Sequence, residues 1–277
     1  MNSTAGLQEP PDALVSSVRY DPALLDVPKN SLTDPPSTPS PYLLLSYHHE
    51  RLATAAEAFG WTSAEECLRG ESGAAMMRKE MDRAVKEWEE SGKGEKDVPS
   101  KLRLLVNVEG KLTVEVAPTP PLLVPNMFNN ALATPTTLQT LAAAPNSTFS
   151  FVSVHLDPIP TPASPLTAYK TTSRDHYLAS RLRVGHGKGY TSPHEVLLFN
   201  RSHEAMECSI SNVAFWREGG WVTPREEAGG LRGVMRRWLI EQGRWKEGTV
   251  KRGDVVKGEW VLLSNGLKGC FVGRIKE

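Results

Sequence analysis

Proline placement limits this chain more than any other feature. The stretches "PKNSLTDPPSTPSP" at 28–41 and "APTPPLLVPNMFNNALATPTTLQTLAAAPNS" at 117–147 repeatedly lack the backbone donors that a helix interior or a central strand needs. The first reads as a loop. The second has no clean apolar period and reads as a connection between domains. The structured parts must then be a smaller α/β domain over 1–118 and a larger unit over 148–277, joined by 119–147.

The chain has 277 residues, 39% apolar and 23% charged, enough for two modest cores. Its 32 basic residues balance 32 acidic ones, so no long-range field recruits nucleic acid or a membrane surface. The three cysteines, Cys67, Cys208 and Cys270, are widely spaced, form no CxxC pair and suggest neither zinc nor disulfides. No basic leader precedes an apolar segment and no long apolar run exists, so a cytoplasmic protein without a metal is expected.

Within the first half, "SSVRYDPALL" reads as a strand and turn. "YLLLSYHHERLATAAEAFG" passes into a helix with Leu52, Ala55, Ala56 and Phe59 on one face, closed by Gly60. Ser63 with Glu66 suggests a capping box, and Met77, Met81, Ala84 and Trp88 mark the stripe of a further helix. After the break "EESGKGEK", the segment "KLRLLVNVEGKLTVEVAP" is a hairpin around a Glu-Gly turn.

The second half opens with the strand "TFSFVSVHL" and continues through Lys170 to a helical stretch from about Asp175 to Val184. Then come the glycine-rich loop "GHGKGY", the strand "EVLLF", one long strand "EAMECSISNVAFW" and the short strand "WVTP". A helix, "LRGVMRRWLIEQG", follows Gly229-Gly230, and two final strands surround a Gly/Asn turn.

A lysine acting as a nucleophile must spend part of its cycle as the free amine, so burial or nearby positive charge must lower its pKa from about 10.4. Lys170, in "PLTAYKTTSRDHY", has Arg174 close by in sequence to supply such charge. Unpaired amides at a helix start attract phosphate, which makes the amides of Val234 and Met235 candidates. Glu204 and Glu207 lie on opposite faces of a strand by alternation, leaving Glu204 solvated.

Read in order, Lys170, Glu207 with Asn212 ("ECSISNVAF"), the turn "GGLRGVMRRW" and Ser264-Asn265-Gly266 resemble the pyridoxal-phosphate enzymes of fold type IV. This is the class-IV aminotransferase family, which contains branched-chain aminotransferases, D-amino acid aminotransferases and aminodeoxychorismate lyases. The resemblance covers roughly 148–277, with a further piece at 42–60. It implies an α+β fold of two domains, a small α/β domain and a larger one with a β-rich pseudo-barrel and flanking helices. It also implies pyridoxal 5'-phosphate as cofactor, Lys170 as the residue joined to it, and Glu207 as the partner of its pyridine nitrogen. Arg51, matching the family's His-x-x-Arg-Leu segment, would reach the phosphate, with His48 structural and His49 exposed. Gly266 stands where a hydroxyl residue is common, so only its backbone or Ser264 can serve there.

The short first domain looks like that of eukaryotic aminodeoxychorismate lyases, and the Lys-x-x-x-Asn-Tyr pattern of branched-chain aminotransferases is replaced by Arg174-Asp175 at its end. This likeness implies conversion of 4-amino-4-deoxychorismate to 4-aminobenzoate and pyruvate on the folate route. Arg103 and Arg174 are candidates for the substrate carboxylates, and a homodimer is expected. A D-amino acid or amine aminotransferase, or a noncatalytic relative, are the other readings left open.

Overall fold

The computed structural model describes residues 11–31, 39–187 and 194–276. Parts of the loops 28–41 and "GHGKGY" therefore lie outside the described residues. Strand β1 (Leu14–Tyr20) is followed by two short 3₁₀ turns, and then come α1 (Leu45–Phe59), α2 (Thr62–Cys67), α3 (Gly70–Glu90) and the hairpin β2 (Ser100–Val106) and β3 (Leu112–Pro118). These strands make an antiparallel sheet in the order β1-β2-β3.

Local chemistry accounts for these boundaries. Gly60 adopts the left-handed conformation that stops α1, and its N–H returns to the Ala56 and Glu57 carbonyls. The residue before α2 is Trp61 and makes no side-chain cap; Ser63 lies inside the helix, so the expected Ser63–Glu66 box does not form. The even positions of β2, Leu102, Leu104 and Val106, are fully buried against Leu52, Met77 and Met81 from the helices. Truncating one such side chain to Ala costs about 2–5 kcal/mol. The odd positions, Lys101 and Arg103, occupy the opposite face.

The second half forms helices α4 (Asn126–Asn129) and α5 (Pro135–Ala143), strand β4 (Val152–Leu156), helices α6 (Pro165–Ala168) and α7 (Asp175–Arg183), and strands β5 (His194–Phe199), β6 (Ala205–Cys208), β7 (Asn212–Arg217) and β8 (Gly220–Pro224). Helix α8 (Val234–Glu241) and strands β9 (Trp245–Gly248), β10 (Trp260–Asn265) and β11 (Gly269–Ile275) complete it. The eight strands lie in the order β6-β5-β4-β11-β10-β7-β8-β9. Beyond β9, the Val250 carbonyl accepts from Ala205 N at 2.8 Å and Lys251 bridges Glu204, so the chain returns to the β6 edge and the sheet curls upon itself. The result is the α+β arrangement with a large curled sheet and a small antiparallel one.

Several expectations change. Residues 119–147 contain α4 and α5, and Val124 before α4, Met127 and Phe128 on it and Leu138 on α5 enter the core with residues of β10 and β11. The long strand "EAMECSISNVAFW" is two strands, because buried Glu195 on β5 accepts from Ser209 Oγ, Ile210 N and Ser211 Oγ at 2.9, 3.0 and 2.6 Å and holds a turn between them. Helix α8 begins at Val234 rather than directly after Gly229-Gly230. His49 is buried and bonds the Leu68 carbonyl at 2.8 Å instead of facing solvent. Glu204 is also buried, paired with Lys251 Nζ at 2.9 Å and Arg225 Nη2 at 3.2 Å. Alternation fails there because Glu204 precedes β6, and all four β6 residues are buried on both faces.

Candidate active site

Lys170 is delivered by a short local device. Pro165 opens α6, Ser164 N donates to Thr167 Oγ1 at 3.0 Å, and the helix ends at extended Tyr169. The next residues lie along β1: Val15 N donates to the Lys170 carbonyl at 2.8 Å and Thr172 N to the Ala13 carbonyl at 3.0 Å. Lys170 therefore stands on a short extended segment added to the exposed edge of the small sheet, not at the end of a large-sheet strand. Its side chain lines a cavity of about 400 Å³ with Arg51, Lys101, Arg103, Arg174, Asn212, Val234, Ser264 and Gly266. Burial first, then Arg174, Arg51 and Lys101, push the amine well below the usual lysine range, while Glu207 pulls it back up.

Glu207 on β6 lies beside this cavity and interacts electrostatically with Lys170. Its Oε1 accepts from Tyr177 Oη on α7 at 2.5 Å and from Leu231 N at 3.0 Å. Burial raises the carboxyl to about 7, while Tyr177, Leu231, Arg174 and Lys170 oppose the rise. The Leu231 contact requires Gly230, since a Cβ there would sit 2.6 Å from the Met206 carbonyl oxygen. The glycine turn thus allows the loop to lie flat on β6.

The same cavity also offers an anion a cation, Arg51. Arg51 on α1 has no carboxylate partner among the described salt bridges; Nη2 donates to Ser16 Oγ at 2.7 Å, and Nε is buried without a partner. Desolvation lowers it to about 10, so it remains a cation at pH 7. Ser16 Oγ lies 2.7 Å from His48 Nδ1. With the hydroxyl accepting from Arg51 and donating to Nδ1, His48 carries its proton on Nε2. Burial and Arg51 hold His48 well below its ordinary range, so it stays neutral.

Gly266 is packed against the same histidine. A Cβ at Gly266 would lie 2.7 Å from His48 Cε1 and 2.7 Å from the Ser17 carbonyl oxygen. No hydroxyl side chain fits there, but Ser264 Oγ nearby is buried, lines the cavity and has no hydrogen-bond partner. Val234, the first residue of α8, also lines the cavity, whereas the Met235 side chain is in the core. The amides of both belong to the unpaired first turn of an eight-residue helix.

Arg103 and Arg174 border the cavity, and both have protein partners. Arg103 Nη1 pairs with Glu115 at 3.0 Å, and Arg174 Nη2 donates to the Ser209 carbonyl at 3.2 Å. Lys101, Tyr177 and Ser16 were not legible as site residues. Lys101 was the accessible one, because it shares a strand face with Arg103 by period two. Tyr177 and Ser16 become neighbours of the site only through the fold. A second cavity of about 340 Å³ shares Arg51, Gly233 and Val234 in its lining, where Arg232, Arg236 and Arg237 stand with Glu50, Glu226, Glu241 and Glu247; Arg236 and Arg237 are engaged by Glu247, Glu50 and Glu241.

The cavity's chemistry suits a phosphate-bearing aldehyde: a desolvated amine, a buried carboxyl, a guanidinium without a carboxylate partner among the described salt bridges and a buried hydroxyl without a hydrogen-bond partner line or adjoin one space. Residues 38–274 match the family model of amino-transferase class IV, and the chain belongs to that family. It is 34% identical over 195 residues to an aminodeoxychorismate lyase of Saccharomyces cerevisiae, covering 64% of this chain and 51% of that protein. A putative aminodeoxychorismate lyase of Schizosaccharomyces pombe is 33% identical over 139 residues, covering 49% of this chain and 58% of the other. The chain thus spans about half the length of the curated relatives it matches. In fold it is similar to a putative amino-acid aminotransferase from Mesorhizobium loti, with a TM-score of 0.63, 21% identity and coverage of 95% of this chain and 99% of that one.

Proposed function

We propose that the protein is a pyridoxal-phosphate-dependent lyase converting 4-amino-4-deoxychorismate to 4-aminobenzoate and pyruvate. The observation that carries this reading is the desolvated Lys170 amine, under the influence of Glu207, in a cavity also lined by Arg51, which has no carboxylate partner among the described salt bridges. The identity to the yeast lyase favours this substrate.

Arg51, the amides of Val234 and Met235, the Gly266 backbone and Ser264 Oγ would bind the cofactor phosphate, with His48 and Ser16 orienting Arg51. Lys170 Nζ is the group that joins the cofactor aldehyde. Glu207 would ionise opposite a protonated ring nitrogen and keep the proton there. Pyridoxal phosphate supplies a sink for the electron pair left when a proton leaves the carbon bearing the substrate amine. Once the substrate amine has taken its place at the cofactor, the freed Lys170 Nζ would take that proton as general base; the carbon–oxygen bond to the enolpyruvyl group would break, the departing enol would take up a proton to become pyruvate, and the ring would become aromatic. Arg103, Arg174 and Lys101 provide the positive charge for the two substrate carboxylates.

We also place the division between a small domain over 1–118 and a cofactor-binding domain over 148–277 in this reading, with a homodimer in the cytoplasm. Incubating the cofactor-loaded protein with 4-amino-4-deoxychorismate and no keto acid should release 4-aminobenzoate and pyruvate in equal amounts. Turnover only when an amino donor is paired with a keto acid would establish an aminotransferase instead. A sedimentation measurement showing a monomer would remove the dimer.

A further inference from the structure

Away from the cavity, three histidines from separate segments meet. His155 lies on β4 and His194 begins β5. The strands are parallel, with Ser153 directly across from His194, so His155 is two residues farther along β4 and faces the same side. His186 arrives from α7 by a defined turn. Gly185, at φ 78°, donates to the Leu182 carbonyl at 3.1 Å, and His186 N donates to the Arg181 carbonyl at 2.9 Å. That pair of bonds is a Schellman motif, which fixes the direction in which His186 leaves the helix.

The rings of His186 and His194 are parallel, 4.6 Å apart and inclined by 2°, and His155 meets the His186 ring edge-on at 4.7 Å. One nitrogen from each ring lies within 4.8 Å of the others. His186 Nε2 and His194 Nδ1 are buried and lack hydrogen-bond partners, which is costly for imidazoles that only pack together. From beneath, Arg181 Nη1 donates to the His194 carbonyl and to Ser209 Oγ, each at 3.0 Å, so the start of β5 is fixed.

We propose that His155, His186 and His194 form a binding site for a borderline divalent transition metal of the zinc type, with water as the remaining ligand. Three imidazoles and no carboxylate or thiolate suit zinc, nickel or copper better than magnesium or calcium. Tetrahedral zinc with bonds of about 2.0–2.1 Å places nitrogens about 3.3–3.4 Å apart, so small side-chain rotations close the observed triangle. A metal there would tie the C-terminal end of α7 to β4 and β5, while the same helix presents Tyr177 to Glu207 nearer its start. The wide spacing 155, 186, 194 conceals it in the sequence.

The test uses the full chain freed of any affinity tag and titrated with zinc chloride by calorimetry, with cobalt chloride as an optical probe. The expected result is one zinc per chain at micromolar or lower free metal, a tetrahedral cobalt spectrum and a raised melting temperature. His155→Gln and His194→Gln should each weaken binding by at least the roughly 10- to 100-fold that losing even an outer-shell partner costs. Sharp thermal unfolding of each variant without metal confirms that it folds. Cys67→Ser, which removes the one partly exposed thiol, should leave binding unchanged. Failure of the wild-type chain to bind zinc at micromolar free metal, unchanged binding in both glutamine variants, or loss of binding in Cys67→Ser would overturn the site.

Discussion

The Tyr177 hydroxyl donates to Glu207 Oε1 at 2.5 Å, joining the first turns of α7 to the buried carboxylate of β6. This bond favours the ionised carboxyl against the burial that lifts it to about 7. Tyr177→Phe should therefore raise the Glu207 pKa further and move the acidic limb of the rate–pH profile upward. Since a hydrogen bond to a charged group is worth about 1.5–3 kcal/mol, kcat/KM at neutral pH should fall by about 10-fold or more. An unchanged limb would show that Glu207 ionisation does not control the reaction.

Lys170 carries a stability signature independent of substrate. Its folded pKa lies well below the unfolded value, so across that interval the unfolded chain binds more protons, and the stability of the cofactor-free protein rises with pH until about 10.4. Lys170→Met should melt at a higher temperature than the wild type at pH 7 without cofactor, and the gap should close as pH approaches that limit. The same variant should not retain a cofactor adduct after borohydride reduction, whereas peptide mapping of the wild type should find the adduct on Lys170. An adduct on another lysine would displace this assignment.

Arg51 predicts anion binding before any chemistry is assayed. Its guanidinium lacks a carboxylate partner among the described salt bridges and shares Ser16 with neutral His48. Inorganic phosphate should raise the melting temperature of the cofactor-free protein but not that of Arg51→Met. Loss of one charged hydrogen-bonding partner should weaken pyridoxal phosphate binding by about 10- to 100-fold. Equal stabilisation of both proteins by phosphate would place the anion elsewhere.

At Gly266, adding a hydroxyl should harm the protein rather than improve the site. The 2.7 Å approaches of a Cβ to His48 and the Ser17 carbonyl leave no room, and overpacking costs about 1–3 kcal/mol. Urea unfolding of Gly266→Ser should show that loss together with weaker cofactor binding. Ser264→Ala, by contrast, should fold normally and weaken cofactor binding alone.

Local residue patterns were sufficient for the hairpin, the Gly60 stop of α1 and helix α7, because each depends on neighbours within a few positions. The order of Lys170, Glu207 and the glycine turn also made the family resemblance legible. Tertiary structure decided what those residues touch. Glu195 broke one apparent long strand into two by accepting from its middle, and Glu204 became a buried ion-pair member because the chain after β9 returned to the sheet edge. Likewise, Ser16 and His48 met Arg51, and Tyr177 met Glu207, through packing between segments far apart in the chain. Periodicity records which face of an element is apolar, but not which distant element covers it; strand order and crossovers settle that, and the site lies where they bring the two sheets together.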